Sequence, residues 1–293
     1  MRFALMSAMS KRSRSLSGTE ATPFVYGETN GRAWRQQGER IDLVRRTVRP
    51  RITVVRHAQG EVAFDLRRTA LAVIDMQNDF CHPRGWFGAK GISVRPMRKP
   101  IPVLARVLPA WRAAGGTVIW LNWGVRADLA NLPPSVRYKG KRQPQAIGYA
   151  EPVPGTGGRA VVPGEWGAQV VDELAIDPAD LTVFKHRLSG FWDNELDSIL
   201  RVRGIDTLVF AGVNTDRCVY GSLQDAAYLG YDCLLLADGC GTPSPAYVTR
   251  AIHFLVQQLH GFVIDSDALL DGLPAEGARR PAPKASFSSK EQA

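Results

Sequence analysis

Three residues far apart in the chain could do chemistry together: Asp75, Lys185 and Cys218, an acid, an amine and a thiol. Each stands at or just past the end of a short apolar run rich in β-formers: TALAVI (69–74), LTVF (181–184) and TLVFA (207–211). Runs of this kind read as strands buried on both faces. A thiol attacks as its thiolate; a neighbouring cation stabilises the negative charge, and a carboxylate holds or returns the proton. Cys218 follows a polar turn, 214–217, and precedes a helix expected to run through Leu229 and close at Gly230. A helix N-terminus stabilises thiolate. Each residue also has a plain explanation: Asp75 as a turn cap, Lys185 as a surface charge, Cys218 as a core side chain. All three at the ends of three buried strands point to nucleophilic catalysis.

The elements that must position them alternate. After the strand at 69–74, an amphipathic helix is expected over 101–114, stopped by Gly115-Gly116, then a strand over 117–122. Residues 123–166 read as a long irregular stretch rich in Pro and Gly; in a compact domain such a loop is usually functional. A helix over 170–174, the strand at 181–184 and a helix over 192–203 follow, then the strand at 207–211 and the Cys218 helix. A strand over 233–237, a helix over 246–259 and a short strand over 261–264 complete the pattern. Alternation of this kind predicts an α/β fold, a doubly wound parallel sheet with helices on both faces, whose strand C-termini share one crevice. Before it, 52–55 and 62–64 read as a β-hairpin, a short helix is expected near 39–46, and 1–20 read as disordered. The expected organisation is an N-terminal extension over 1–67, a main domain over 68–273 and a disordered tail over 274–293.

Composition narrows the class. The chain has 293 residues, 45% of them hydrophobic and 22% charged, ordinary for a globular protein. No apolar run approaches the roughly 20 residues of a membrane helix. The net charge of +9 sits at the ends: 1–51 carry 11 Lys and Arg against 4 acids, and 277–293 carry 4 against 1. The remainder is close to neutral, so neither nucleic acid nor a membrane is expected as a partner, and the basic ends read as solvated tails. Four cysteines, Cys81, Cys218, Cys233 and Cys240, lack disulfide-framework or zinc spacing. The N-terminus makes a poor secretory signal, and a reducing cytoplasm is the expected setting.

Three segments then show a resemblance. IDMQNDF (74–80), FKHRLSGF (184–191) and GVNTDRCV (212–219) resemble the signatures of the isochorismatase-like cysteine hydrolases. The resemblance implies a three-layer α/β/α sandwich, an Asp75–Lys185–Cys218 catalytic triad and a homo-oligomer, dimer or tetramer. It also implies a non-proline cis peptide at Val213–Asn214, with the N–H groups of Asn214 and Cys218 forming an oxyanion hole. Nicotinamidases of this family place an Asp and two His after the second strand to hold a metal. Here that place reads NWGVR (122–126), without His, so no metal and no other cofactor is expected. Isochorismatases that cleave a vinyl ether typically lack the nucleophilic cysteine. Segments 126–133 and 185–205 look most like biuret hydrolase and ureidoacrylate amidohydrolase.

The implied activity is hydrolysis of a carbon–nitrogen bond in a small ureido or carbamoyl compound. Another small amide, such as an N-carbamoyl amino acid, and a non-catalytic binding role for the fold are the alternatives. A glutamine on the last helix contacts substrate in the biuret enzymes, which points to Gln258, with Gln257 as the neighbouring register. A ureido pocket needs amides, a cation and flat walls. Asn122, Arg126, Phe80, Trp86, Phe191, Trp192 and Tyr220 are the substrate-binding candidates, although each aromatic could equally be core.

Overall fold

A computed structural model describes residues 22–27 and 31–274 of the chain. The expectations for 1–20 and for most of the C-terminal tail therefore lie outside the described residues. Two units stand apart by their internal contacts, 1–48 and 49–293. The first holds a three-stranded antiparallel sheet, β1 (Phe24–Tyr26), β2 (Trp34–Gln37) and β3 (Arg40–Asp42). The helix expected near 39–46 is absent there. Gly38, at a φ of 59°, turns the chain directly from β2 into β3, and a hairpin displaces the helix.

In the second unit β4 (Ile52–His57) and β5 (Gly60–Asp65) form the antiparallel hairpin that the alternation at 52–64 predicts. Its inward side chains Val55 and Phe64 join the hydrophobic core, and the helix Ser266–Gly272 runs close against β4. A Cβ on Gly272 would lie 2.3 Å from the Val54 carbonyl oxygen, so that approach requires glycine.

The main sheet has six strands: β6 (Thr69–Ile74), β7 (Thr117–Trp123), β8 (Leu181–Lys185), β9 (Thr207–Val213), β10 (Asp232–Gly241) and β11 (Gly261–Ile264). Their order is β11-β10-β9-β6-β7-β8, and every pairing is parallel. Every residue of β6 and β9 is buried, which is why both strands read as continuous apolar runs rather than alternating ones. From β6 the chain steps outward through β7 to β8, then returns to the far side of β6 and continues outward through β9, β10 and β11. Right-handed crossovers taken in opposite directions put their connections on opposite faces. The helix Pro100–Ala113 joins β6 to β7, whereas Tyr220–Tyr228 and Ala246–Leu255 follow β9 and β10, giving the three-layer α/β/α sandwich. The direction reverses between β6 and β9, and in an open α/β sheet that reversal opens the ligand crevice at the strand C-termini.

A second helix expected from the sequence pattern does not form. Residues 170–174, expected to be helical, form turns: the Val171 N–H bonds the Met76 carbonyl (3.0 Å), and Val170 makes an antiparallel bridge to Gln77. The segment's apolar residues face the chain leaving β6 instead of coiling on themselves. Among the described residues no helix is long and apolar enough to cross a membrane.

Candidate active site

The crevice between β6 and β9 is shaped by two unusual backbone conformations. Gly212 pairs with Ile74 at a φ of 110°, and a Cβ there would lie 2.1 Å from the Ile74 carbonyl oxygen. Only glycine lets the two strands meet this closely as they end. Asp75 keeps its N–H on the Leu121 carbonyl (3.1 Å) but adopts a φ of 52°. That left-handed conformation costs a non-glycine residue about 1–3 kcal/mol, so the surrounding structure must hold it.

Lys185 must travel to reach Asp75. It ends β8, and β7 stands between β8 and β6. Two strand spacings amount to about 9.6 Å, a gap that a long side chain can close and a short one cannot. The Lys185 Nζ crosses above the indole of Trp123, its register partner on β7, at 4.1 Å from the ring centroid. It ends 3.0 Å from the Asp75 Oδ2. It also donates to the Arg187 carbonyl, at 3.3 Å. Both charged side chains are almost wholly buried. The contact is an ion pair rather than an aligned hydrogen bond, because neither Asp75 oxygen has a partner at ordinary hydrogen-bond angles.

Cys218 comes from the other side of the crevice. The peptide Val213–Asn214 after β9 is cis. Residues Thr215–Val219 then form a single π turn that leads into the helix Tyr220–Tyr228. Cys218 is 6% exposed, and its thiol is a polar neighbour of both Asp75 and Lys185. Asp216 braces this turn by accepting from Thr242 and from Ser244 Oγ (2.8 Å). Ser222, fully buried one turn after Cys218, donates to the Cys218 carbonyl (2.6 Å) and accepts from the Gly190 N–H (2.9 Å). It ties the segment after Lys185 to the turn that carries the sulfur.

The electrostatics follow from burial. Loss of water pushes the Asp75 carboxyl above its usual range, while the Lys185 charge and the Cys218 thiol pull it back. Burial, then the Asp75 charge, push the Cys218 thiol up to about 12, against the pull of Lys185. The sequence pattern predicts a thiolate favoured by a helix N-terminus; the structure instead buries the thiol beside Asp75, and both burial and Asp75 work against the thiolate. In this arrangement the carboxylate can take the sulfur's proton as the sulfur attacks, and the ammonium remains beside the charges throughout.

An aromatic wall stands beside the ion pair, and of its members the sequence singled out Trp86 alone. Tyr149 stacks on Trp123 (centroids 5.6 Å, planes 19° apart) and packs against Trp86 at 5.0 Å. Burial above all, with the acidic groups Cys218 and Asp75 nearby, raises the Tyr149 phenol. The wall is held by buried amide and carboxylate clamps. Gln77 accepts from the Trp123 N–H (2.7 Å) and donates to the carbonyls of Trp123 (2.9 Å) and Ala168 (2.8 Å). Asp79 accepts from the N–H groups of Trp86 (3.0 Å) and Val161 (2.6 Å).

Residues 69–268 match the isochorismatase domain family. The chain belongs to the isochorismatase family. Among solved structures, it is similar to an isochorismatase family protein from Desulfovibrio vulgaris at 29% identity and a TM-score of 0.57, over 70% of this chain and 97% of that one. It is also similar to N-carbamoylsarcosine amidase from Thermoplasma acidophilum, at 26% identity and a TM-score of 0.53, over 68% of this chain and 97% of that one. A cysteine hydrolase from Pseudomonas syringae pv. phaseolicola shares the fold at 24% identity and a TM-score of 0.61, over 78% and 98% of the two chains.

In this isochorismatase-family site the structure brings Asp75, Lys185 and Cys218 together, with Asn214 buried at the start of the sulfur's turn. Trp86 reaches the site through Tyr149, and Phe80 backs Trp86 at 6.1 Å within the core. The other substrate-binding candidates fall elsewhere. Asn122 lines a separate pocket with Thr182 and Phe184, because strand alternation turns Trp123, not Asn122, toward Lys185. Arg126 is exposed and held by Asp128 (2.9 and 2.6 Å). Phe191 packs on Tyr231 at 5.6 Å. Trp192 is 58% exposed and donates to Asp225 (2.6 Å). Tyr220 meets His260, with 3.3 Å between the hydroxyl and Nε2. Gln258 is exposed and Gln257 half-buried, on a π turn at the end of the last long helix.

Proposed function

We propose that this protein is a cysteine amidohydrolase that cleaves a carbon–nitrogen bond of a small ureido or carbamoyl compound. The observation that carries the reading is the buried carboxylate, ammonium and thiol in contact at the switch point of the sheet. Similarity to an N-carbamoylsarcosine amidase supports a carbamoyl group as the reacting part. Asp75 accepts the thiol proton while Cys218 Sγ bonds to the substrate carbonyl carbon. The N–H groups of Asn214 and Cys218 receive the oxyanion. The carbon–nitrogen bond then breaks, and Asp75 returns the proton to the leaving nitrogen, which departs as ammonia or an amine. A water gives a proton to Asp75 and attacks the acyl- or carbamoyl-thioester. The carbon–sulfur bond breaks and the proton goes back to sulfur. Lys185 offsets the negative charge in every state. Vinyl-ether cleavage, the other chemistry of the family, has no use for the nucleophile.

The test is ammonia release from a panel of biuret, triuret, ureidoacrylate and N-carbamoyl amino acids, with Cys218→Ser as the control. Turnover that disappears in the variant supports the reading. Absence of turnover on every ureide and amide, or full activity in the variant, overturns it.

A further inference from the structure

The aromatic wall has two sides. One side of Tyr149 faces the ring of Trp123, beneath the Lys185 ammonium. The same residue lines an open pocket of about 260 Å³. Leu129, Arg137, Lys141 and Glu151 are also in its walls. Tyr149 is thus shared between the aromatic wall beside the Lys185 ammonium and this pocket, which places the pocket next to the reacting centre. A small open cavity next to a reacting centre is where the non-reacting end of a substrate can be recognised.

The charges of that pocket do not cancel. Glu151 is spent on Lys141, at 2.6 and 2.9 Å, and on the Gly148 N–H at 2.9 Å. These contacts hold its carboxyl below the usual range. Arg137 is exposed, and among the described residues no acid faces its guanidinium at ion-pair distance. The segment RYKGKR (137–142) adds Lys139 and Arg142 with no acidic residue. Lys90 is drawn in beside it, donating to the Gly140 carbonyl at 2.6 Å and lying 4.4 Å over the Trp86 ring. With Lys141 held by Glu151, Arg137 is the lining cation left to face an anion, while Lys139, Arg142 and Lys90 stand outside the lining and make the surrounding potential positive.

We propose that the pocket beside Tyr149 is the subsite for an anionic substrate tail, with Arg137 as the specificity-determining cation. The substrate class is then a ureido acid, a carbamoyl group carried on a carboxylate-bearing fragment, rather than a neutral ureide such as biuret. The proposal rests on the amidohydrolase reading and narrows it. Gln258, the residue that would point to a neutral biuret-like urea, is exposed.

The experiment is calorimetric titration of two probes of equal size, N-carbamoylglycine and N-carbamoylglycinamide, into Cys218→Ala protein, in which turnover is blocked. The same titrations are run with Cys218→Ala/Arg137→Gln and with Cys218→Ala/Arg137→Lys. The acid should bind about tenfold or more tightly than the amide, as expected for a charge-assisted contact. Arg137→Gln should remove most of that preference and Arg137→Lys should retain part of it. Equal binding of the two probes, absence of binding by both, or a preference that survives Arg137→Gln overturns the proposal. With the Cys218 protein intact, the two readings separate. Thiol-dependent ammonia release from biuret alone, insensitive to Arg137→Gln, defeats the tail subsite and leaves the hydrolase. Arg137-dependent binding of the acid without any turnover leaves the subsite and defeats the hydrolase.

Discussion

Replacing Lys185 by Met tests whether the site is held as an ion pair in a water-poor crevice. Methionine keeps most of the length and can still pack on the Trp123 ring, so the change removes a charge more than a volume. Asp75 is then left buried with no countercharge; at present the Lys185 Nζ lies 3.0 Å away and both side chains are almost wholly buried. Breaking one partner of such a pair costs about 3–5 kcal/mol. For a domain of this size that amounts to a fall in Tm of roughly 6–20 °C. The loss must also depend on pH. Burial already raises the folded-state pKa of Asp75, and the Lys185 charge is the largest influence opposing it. Without that charge the carboxyl rises further, so the variant's folded state prefers the protonated acid. An acid raised on folding stabilises the fold below its unfolded pKa, near 3.9, and loses that contribution as pH rises through the folded value. The gap in Tm between wild type and Lys185→Met should therefore be small near pH 4 and widen toward pH 8. Adding Asp75→Asn to Lys185→Met should recover part of the loss, because no buried charge then remains. Thermal unfolding followed by circular dichroism from pH 4 to 8 reads all three proteins. A gap under about 1 kcal/mol, or one that is the same at both ends of the range, would refute the buried-pair reasoning.

Other consequences of the site can be measured directly. Cys218→Ser should keep the Tm within about 2 °C while lowering kcat by at least about 10³-fold, because a hydroxyl beside Asp75 is a much weaker nucleophile than a thiol. With its thiol pushed up to about 12, Cys218 of the free protein should react with iodoacetamide only slowly at pH 7, and faster as pH rises. Mass spectrometry of the labelled peptide reads this, and rapid labelling at pH 7 would contradict the protonated thiol. Ser222→Ala removes both the donor to the Cys218 carbonyl and the acceptor of the Gly190 N–H, so it should cost about 1–3 kcal/mol and lower kcat more than it alters KM. Unchanged kinetics in a destabilised Ser222→Ala protein would show that the tie holds the fold and not the sulfur.

The strands were legible because burial on both faces leaves a composition with no period to confuse: β6 and β9 are apolar at nearly every position. The ends of those strands located Asp75 and Cys218, since reactive side chains at such ends share a crevice by topology alone. Lys185 was legible as a strand end, but its path across Trp123 was not. Which β7 residue faces which β8 residue is a matter of register, and pairing Trp123 with Lys185 depends on strands about 60 residues apart. The same gap led to Asn122 in place of Trp123, one residue away on the opposite face of the strand. Tyr149 was hidden for another reason. It precedes a small loop pairing, in which the Ala150 N–H bonds the Ala160 carbonyl (3.0 Å) and the Ala160 N–H bonds the Glu151 carbonyl (2.9 Å), inside a stretch with no periodicity. Gln77 lay in a recognisable segment, yet nothing in its neighbours announces that its amide bridges β7 to the loop after it.

The proton arrangement explains why these unannounced residues matter. A thiol that is protonated at rest gains nothing from being near a carboxylate unless the two are fixed at transfer distance when the substrate arrives. Asp75 is set by a left-handed backbone, Cys218 by Ser222 and Asp216, and Lys185 by the face of Trp123. Trp123 is in turn clamped on both its N–H and its carbonyl by Gln77. Cys218, and Lys185 through Trp123, thus depend on buried polar contacts made by residues that do no chemistry themselves. Such clamps are costly to leave half-made in a low-dielectric interior, so a loosened clamp should act on the chemical step before it acts on binding. The tail pocket lies outside this network, on the solvent side of Tyr149, where exposed cations can vary without disturbing the pair beneath.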